Sequence, residues 1–144
     1  MNSPFNLQQQ NNKIEYKIVV ALERISESFK VLLRDESKKY SLSPIQIQIL
    51  IFLNYHLENK CKISHLAQEF NMTKATISES VKLLFLRGLV HKSVELNDLR
   101  SYNLKLTIEG ESICKKLENF TYPIENSIGK FSKNIKEEVL LALL

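Results

Sequence analysis

Few residues in this chain interrupt a helix. Among 144 residues there are three glycines and three prolines, so long helices can run with few breaks. Cysteine is also scarce. Cys61 and Cys114 lie 53 positions apart with no CxxC spacing, which excludes a disulfide framework and a zinc motif. Both are expected to be reduced thiols of a cytoplasmic protein. The three histidines, His56, His65 and His91, are scattered, so neither a metal site nor a cofactor is expected. No apolar run approaches the ~20 residues of a membrane span. The opening MNSPFNLQQQNNK lacks a basic segment followed by an apolar one, so it reads as a flexible polar tail over residues 1–11 and not as a secretory signal. No glycine-rich phosphate loop, activated nucleophile or metal cluster points to an enzyme.

What is present is a soluble, globular composition, 44% hydrophobic and 25% charged. The length suits one domain with a moderate core. The formal charge is +4, and its distribution says more than its size. Between Cys61 and Leu106 there are seven basic and four acidic residues, so about a third of the chain holds three of the four excess charges. A local basic surface is the electrostatic footprint of a nucleic-acid reader.

Apolar periodicity predicts a first helix over about Asn12–Lys39, with Ile14, Ile18, Leu22, Ile25, Phe29 and Leu32 on one stripe. A helix this long has more apolar surface than a small domain buries, which implies a partner helix from a second subunit. Ser43-Pro44-Ile45-Gln46 is a capping box with proline at the first helical position. The IQIQILIFL run that follows is therefore read as a buried helix despite its initial alternation. A short third helix is expected to be capped by Ser64, with Leu66, Ala67 and Phe70 inward. Asn71 tolerates the left-handed turn that ends it, and Thr73 caps a fourth helix. The inner stripe of that helix is Ile77, Val81, Leu84 and Phe85. Ala75, Ser78, Glu79 and Lys82 fall opposite, with Thr76 at the edge.

Gly88 ends the fourth helix. A strand over Leu89–Val94, a tip over Glu95–Ser101 and a return strand over Tyr102–Leu106 follow. Thr107 caps a fifth helix whose stripe runs from Ile113 to Phe131, bent at Pro123 and ended at Gly129. Ser132 caps a final helix that stops on apolar residues. The fold class is therefore mainly α with a small β-hairpin wing (α+β): a winged helix-turn-helix.

The fourth helix carries the functional reading. The small hydroxyls of Thr73, Thr76 and Ser78 let it approach phosphates and base edges, and Lys74 and Lys82 add charge. Glu79 fits least well and is expected to pair with Lys74 or Lys82. At the hairpin tip, Arg100 suits a minor groove, and Asp98 could orient its guanidinium. The competing readings are a solvated helix face and a charged, solubilising turn.

Taken in order, LSPIQIQIL, ISHLAQEFNMTKATISESVKLLFLRGLV and NDLRSYNLKLTIEG resemble the MarR family, winged-helix regulators named for multiple antibiotic resistance. The similarity extends over nearly the whole chain after the tail. The most specific part is Asp98-Leu99-Arg100 followed by Leu104, Leu106-Thr107 and Gly110. The resemblance implies a homodimer held by a helical region of residues 12–42 and 108–144, with residues 43–107 as the DNA-binding winged helix-turn-helix. It implies that Thr73, Lys74, Thr76, Ser78 and Lys82 contact a major groove or its phosphates, and that Ser64 contacts a phosphate. Arg100 becomes the minor-groove arginine and Asp98 its support. The implied protein is a repressor that binds a palindromic operator in double-stranded DNA. Many relatives are released by small aromatic molecules, for which Phe29, Tyr40, Phe52 and Tyr55 are candidate lining residues. This chain lacks the reactive cysteine that the peroxide-sensing branch carries near the start of its first helix. It also lacks the ligand cluster of the zinc-binding branch, so Cys61 and Cys114 are expected to be packed residues. It has one tip arginine where many members have two or three. The alternative function is a winged-helix protein-interaction or dimerisation module without DNA binding.

Overall fold

The computed structural model describes residues 13–58 and 60–144. The expected N-terminal tail lies outside the described residues. Seven helices and one hairpin follow in the order α1 (Ile14–Tyr40), α2 (Pro44–Tyr55), α3 (Ile63–Glu69), α4 (Lys74–Leu86), β1 (Val90–Glu95), β2 (Asp98–Leu106), α5 (Ile108–Leu117), α6 (Tyr122–Ile128) and α7 (Lys133–Leu143). The chain divides into two compact units. One is Leu33–Phe120; the other combines, among the described residues, 13–32 with Thr121–Leu144.

In the Leu33–Phe120 unit, α2 packs against α4, α5 and β2, and α3 packs against α4. The core is aliphatic, with Ile47, Ile49, Leu50, Leu66, Ile77, Leu84 and Leu104 fully enclosed. The start of α2 follows the capping box. The Gln46 N–H donates to Ser43 Oγ at 3.3 Å, and Gln46 Oε1 accepts from the Ser43 N–H at 2.8 Å. Gln46 Nε2 then donates to the Ser80 carbonyl on α4 at 3.4 Å, so one buried amide both caps a helix and ties it to the next.

Three helices end in the same left-handed turn. Ser41 (φ 52°), Asn71 (φ 49°) and Gly88 (φ 68°) each precede a residue whose N–H returns to the last helical turn. Those returns are Leu42 to Ser37, Met72 to Ala67 and Leu89 to Leu84, each at 3.0 Å. Such turns reverse the chain in few residues, which keeps α3 and α4 close enough to form a helix-turn-helix.

Two expectations about helices need correction. Ser64 does not cap α3. Lys62 holds that position, and its N–H donates to Nδ1 of His65 at 3.2 Å. Pro123 does not bend one long helix. It sits in the first turn of a separate α6, where its missing N–H leaves no helix bond unmade. Gly129 does close α6, and Ser132 Oγ accepts from the Ile135 N–H to start α7.

The hairpin is longer and its turn tighter than the expected Glu95–Ser101 tip. Val90 pairs with Leu106, Lys92 with Leu104 and Val94 with Tyr102, after which the register shifts and Glu95 pairs with Asp98. The turn itself is Leu96–Asn97. Residues 99–101 form the bulged side of the ladder, so Arg100 lies in an irregular stretch of β2 and not in the turn. At its other end β2 is anchored by Leu104, whose N–H donates to the Cys61 carbonyl at 2.8 Å.

The second unit leaves many of its apolar residues exposed. Ile14 is 68% and Ile18 54% exposed, and Val19, Leu22 and Ile25 are exposed too. Neither α6 nor α7 has a buried residue, and Leu141 is 77% exposed. No helix among the described residues is long and apolar enough to cross a membrane.

Candidate nucleic-acid interface

The surface begins with α4. Ile77, Ser80, Val81 and Leu84 are buried. The opposite face presents Lys74, Ala75, Thr76, Ser78, Glu79 and Lys82, all exposed, with Thr73 beside them. Phe85 is the exception to the expected inner stripe, at 46% exposed.

Thr73 caps the helix: its Oγ1 accepts from the Thr76 N–H at 3.1 Å and lies 2.9 Å from Thr76 Oγ1. The two hydroxyls share one hydrogen bond, so whichever one donates, one hydroxyl proton is left to offer. The amides of Lys74 and Ala75 stand in the first turn, where no intrahelical partner exists. Hydroxyl, amides and helix dipole together favour an anion here, with the Lys74 charge alongside. Ser80 is turned the other way, its Oγ donating to the Thr76 carbonyl at 3.0 Å.

Glu79 lies on this face and, among the described residues, forms no ion pair with Lys74 or Lys82, contrary to expectation. Its spacing from Lys82 permits a contact, but both side chains extend into solvent, where an exposed pair gains little. Ser64 is half-buried on the second residue of α3. Asp98 and Arg100 belong to β2, and their side chains lie outside what the structure describes.

Two basic residues counted in the sequence only as charge have defined partners. Arg87, the C-terminal cap of α4, donates from Nη1 to the Ser41 carbonyl at 2.7 Å and from Nη2 to the Tyr40 carbonyl at 3.0 Å. It thereby satisfies the open carbonyl end of α1 and fixes the far end of α4 against it. Lys92 on β1 places Nζ 5.1 Å from the Phe85 ring centroid and 4.7 Å from that of Tyr102. Sequence periodicity carries no sign of either, because both contacts join residues of different elements that the fold brings together.

The wing root is locked to α5. Thr107 Oγ1 accepts from the Gly110 N–H at 3.0 Å and donates to the Gly88 carbonyl at 2.6 Å, while the Thr107 N–H donates to the Leu89 carbonyl at 3.1 Å. Gly110 is required here, since a Cβ on it would stand 2.2 Å from that Leu89 carbonyl oxygen.

A cavity of about 190 Å³ is lined by Leu53, His56, Leu57, Leu104, Lys105, Leu106 and Glu111. None of Phe29, Tyr40, Phe52 and Tyr55 lines it. Phe52 instead stacks on His56 at 4.1 Å and meets Phe70 edge-on at 6.0 Å, which is core packing. Cys61 and Cys114 are free and buried. Burial pushes both thiols up to about 11, with the Glu111 carboxylate adding to the effect at Cys114. No group of three or more potential metal ligands occurs among the described residues.

Comparison with known proteins agrees with this architecture. The MarR family model matches residues 40–101, which span α2 through the first part of β2. The HTH-type transcriptional regulator BilQ of Clostridioides difficile (strain CD3) is 26% identical over 106 residues, covering 74% of this chain and 70% of that protein. Among solved structures, S. aureus MepR in its DNA-binding conformation aligns with a TM-score of 0.79 at 19% identity, over 88% of this chain and 93% of that one. The S. aureus MepR–DNA complex aligns at 0.72 and 19%, over 92% and 95%. A mainly helical fold with a two-stranded wing and a helix-turn-helix accompanies that match: over residues 40–101 the chain is similar to the MarR family, and its relative BilQ is a transcriptional regulator.

Proposed function

We propose that the protein is a cytoplasmic, homodimeric, sequence-specific DNA-binding repressor. The observation that carries this reading is the outward face of α4. Thr73, Lys74, Thr76, Ser78 and Lys82 are all exposed on a helix whose opposite side is anchored in the core. In the proposed mode this face enters a major groove, with Ser64 on α3 at the flanking phosphate. Arg100 reaches the adjacent minor groove, supported by Asp98. The DNA complex formed by MepR, which shares this fold, supports that docking.

The dimer is proposed from the uncovered apolar residues of α1 and α7. Large apolar residues left exposed in such number along two helices are uncommon on a monomer and support an interface there. A two-fold axis would set two copies of α4 into successive major grooves, so the operator is an imperfect palindrome with half-sites about 34–36 Å apart. Residues 12–42 and 108–144 are proposed as the dimerisation region and 43–107 as the DNA-binding region.

Release by a small aromatic effector is part of the proposal and rests on family resemblance. The described cavity of about 190 Å³ is small against the ~300–1,000 Å³ of common ligand pockets. The unpaired Glu79 favours a second reading, a winged helix that binds protein and not DNA, because a carboxylate there repels phosphate.

Selection of bound duplexes from a random library tests the reading. Recovery of a palindromic motif is expected, and Arg100→Ala should weaken binding to it while leaving the dimer intact. Recovery of no motif, or unchanged binding by Arg100→Ala, would count against DNA recognition or against the role of that arginine.

A further inference from the structure

One face of β1 carries Val90, Lys92 and Val94, paired with Leu106, Leu104 and Tyr102. Val90, Leu104 and Leu106 are buried, so the root of this row faces the core, while Lys92 and Val94 further out are exposed. A lysine in the middle of such a row needs an explanation. Its long side chain carries the ammonium out of the row to two aromatic rings, Phe85 on α4 and Tyr102 on β2, at 5.1 and 4.7 Å. Both distances fall inside the ~6 Å range of a cation–π contact. The same cation gives Phe85, half-exposed on a helix otherwise anchored by aliphatic residues, its partner.

Phe85 lies twelve residues beyond Thr73, so about 18 Å along α4 from the anion-favouring end. The ammonium is therefore held where the reading helix meets the root of the wing, away from the helix end proposed to meet DNA. We propose that Lys92 is a positioning residue: it bridges Phe85 and Tyr102 and sets the angle of the wing against α4. Its effect on binding rests on the DNA-binding reading above, but the bridge itself does not.

The test uses the full chain with Lys92→Gln, Lys92→Arg and Phe85→Leu. In the free protein, Lys92→Gln should speed amide hydrogen exchange across Val90–Leu106 by about 3- to 10-fold, the worth of one to two exposed cation–π contacts. Lys92→Arg should preserve the wild-type rate, and Lys92→Gln should have a smaller effect in the Phe85→Leu background, where only the Tyr102 contact is left to lose. On the selected duplex, Lys92→Gln should weaken binding by a similar factor with the salt dependence unchanged. Unchanged wing exchange would overturn the bridge. A salt slope shallower by about one would overturn the positioning role on DNA, by showing that Lys92 is a phosphate contact. If the wild-type protein bound no duplex, the exchange measurements would still decide the bridge, so the two readings fail separately.

Discussion

Gly110→Ala is the substitution whose outcome the structure constrains most tightly. The new methyl carbon would stand 2.2 Å from the Leu89 carbonyl oxygen and 3.2 Å from Leu106 Cδ2. Ordinary contact begins near 3.4 Å, so α5 and the wing root must separate by about 1 Å. The carbonyl cannot yield freely, because it accepts the Thr107 N–H at 3.1 Å, and Thr107 also donates to the Gly88 carbonyl. Overpacking of this kind costs about 1–3 kcal/mol. Weakening the Thr107 bond adds about 0.5–1.5 kcal/mol. Alanine's advantage over glycine in a helix, about 1 kcal/mol, opposes both. The net is a loss of about 0.5–3.5 kcal/mol, or a fall in Tm of about 2–10 °C for a chain of this size. Melting followed by circular dichroism, at one fixed protein concentration so that dimerisation does not shift the midpoint, measures it. A Tm equal to or above wild type would mean that propensity outweighs the clash, and would refute the claim that this glycine is there for close approach.

Other substitutions probe the remaining contacts. Arg87→Met removes both donors to the Tyr40 and Ser41 carbonyls and should cost about 1 kcal/mol in urea unfolding, the exposure of the site keeping the figure low. Arg87→Lys should recover only part of it, since an ammonium cannot reproduce the forked geometry. Thr73→Ala should cost about 1 kcal/mol by uncapping α4, while Thr73→Ser costs little. Cys61 and Cys114 should resist a thiol-labelling reagent at pH 7 in the native protein and react when it is unfolded, because burial raises both to about 11. These raised values favour the protonated folded state. Their stabilising contribution is therefore complete below the unfolded value near 9.0 and is lost as pH climbs towards 11. Unfolding measured across pH 8–11 should show that decline, and alanine at both positions should flatten it.

Local chemistry made most of the helical framework legible. Ser43, Thr73, Thr107 and Ser132 each cap the helix that the sequence assigns them, because the signal lies within three residues of itself. Asn71 and Gly88 turn the chain as expected for the same reason. What failed depended on alternatives only the fold resolves. Ser64 is a good cap by type, but the chain starts α3 two residues earlier, where His65 can reach back to Lys62. The stripe through Pro123 keeps helical spacing across a break, since two helices can share one apolar rhythm. Phe85 reads as core, yet it sits at the helix margin under a lysine. The candidate site follows the same division. The outward face of α4 could be read from periodicity, whereas the Arg87 and Lys92 contacts join residues brought together by the fold.

The central claim is that the exposed face of α4 reads DNA as part of a dimer. The most direct test is the affinity for a selected palindromic duplex and a scrambled one, by fluorescence anisotropy, between 50 and 200 mM salt. With 6–10 phosphates contacted, affinity for the palindrome should fall by about 10³–10⁵ across that range. It should exceed affinity for the scrambled duplex by at least about 10³. A flat salt response, or equal affinity for the two duplexes, would contradict the account.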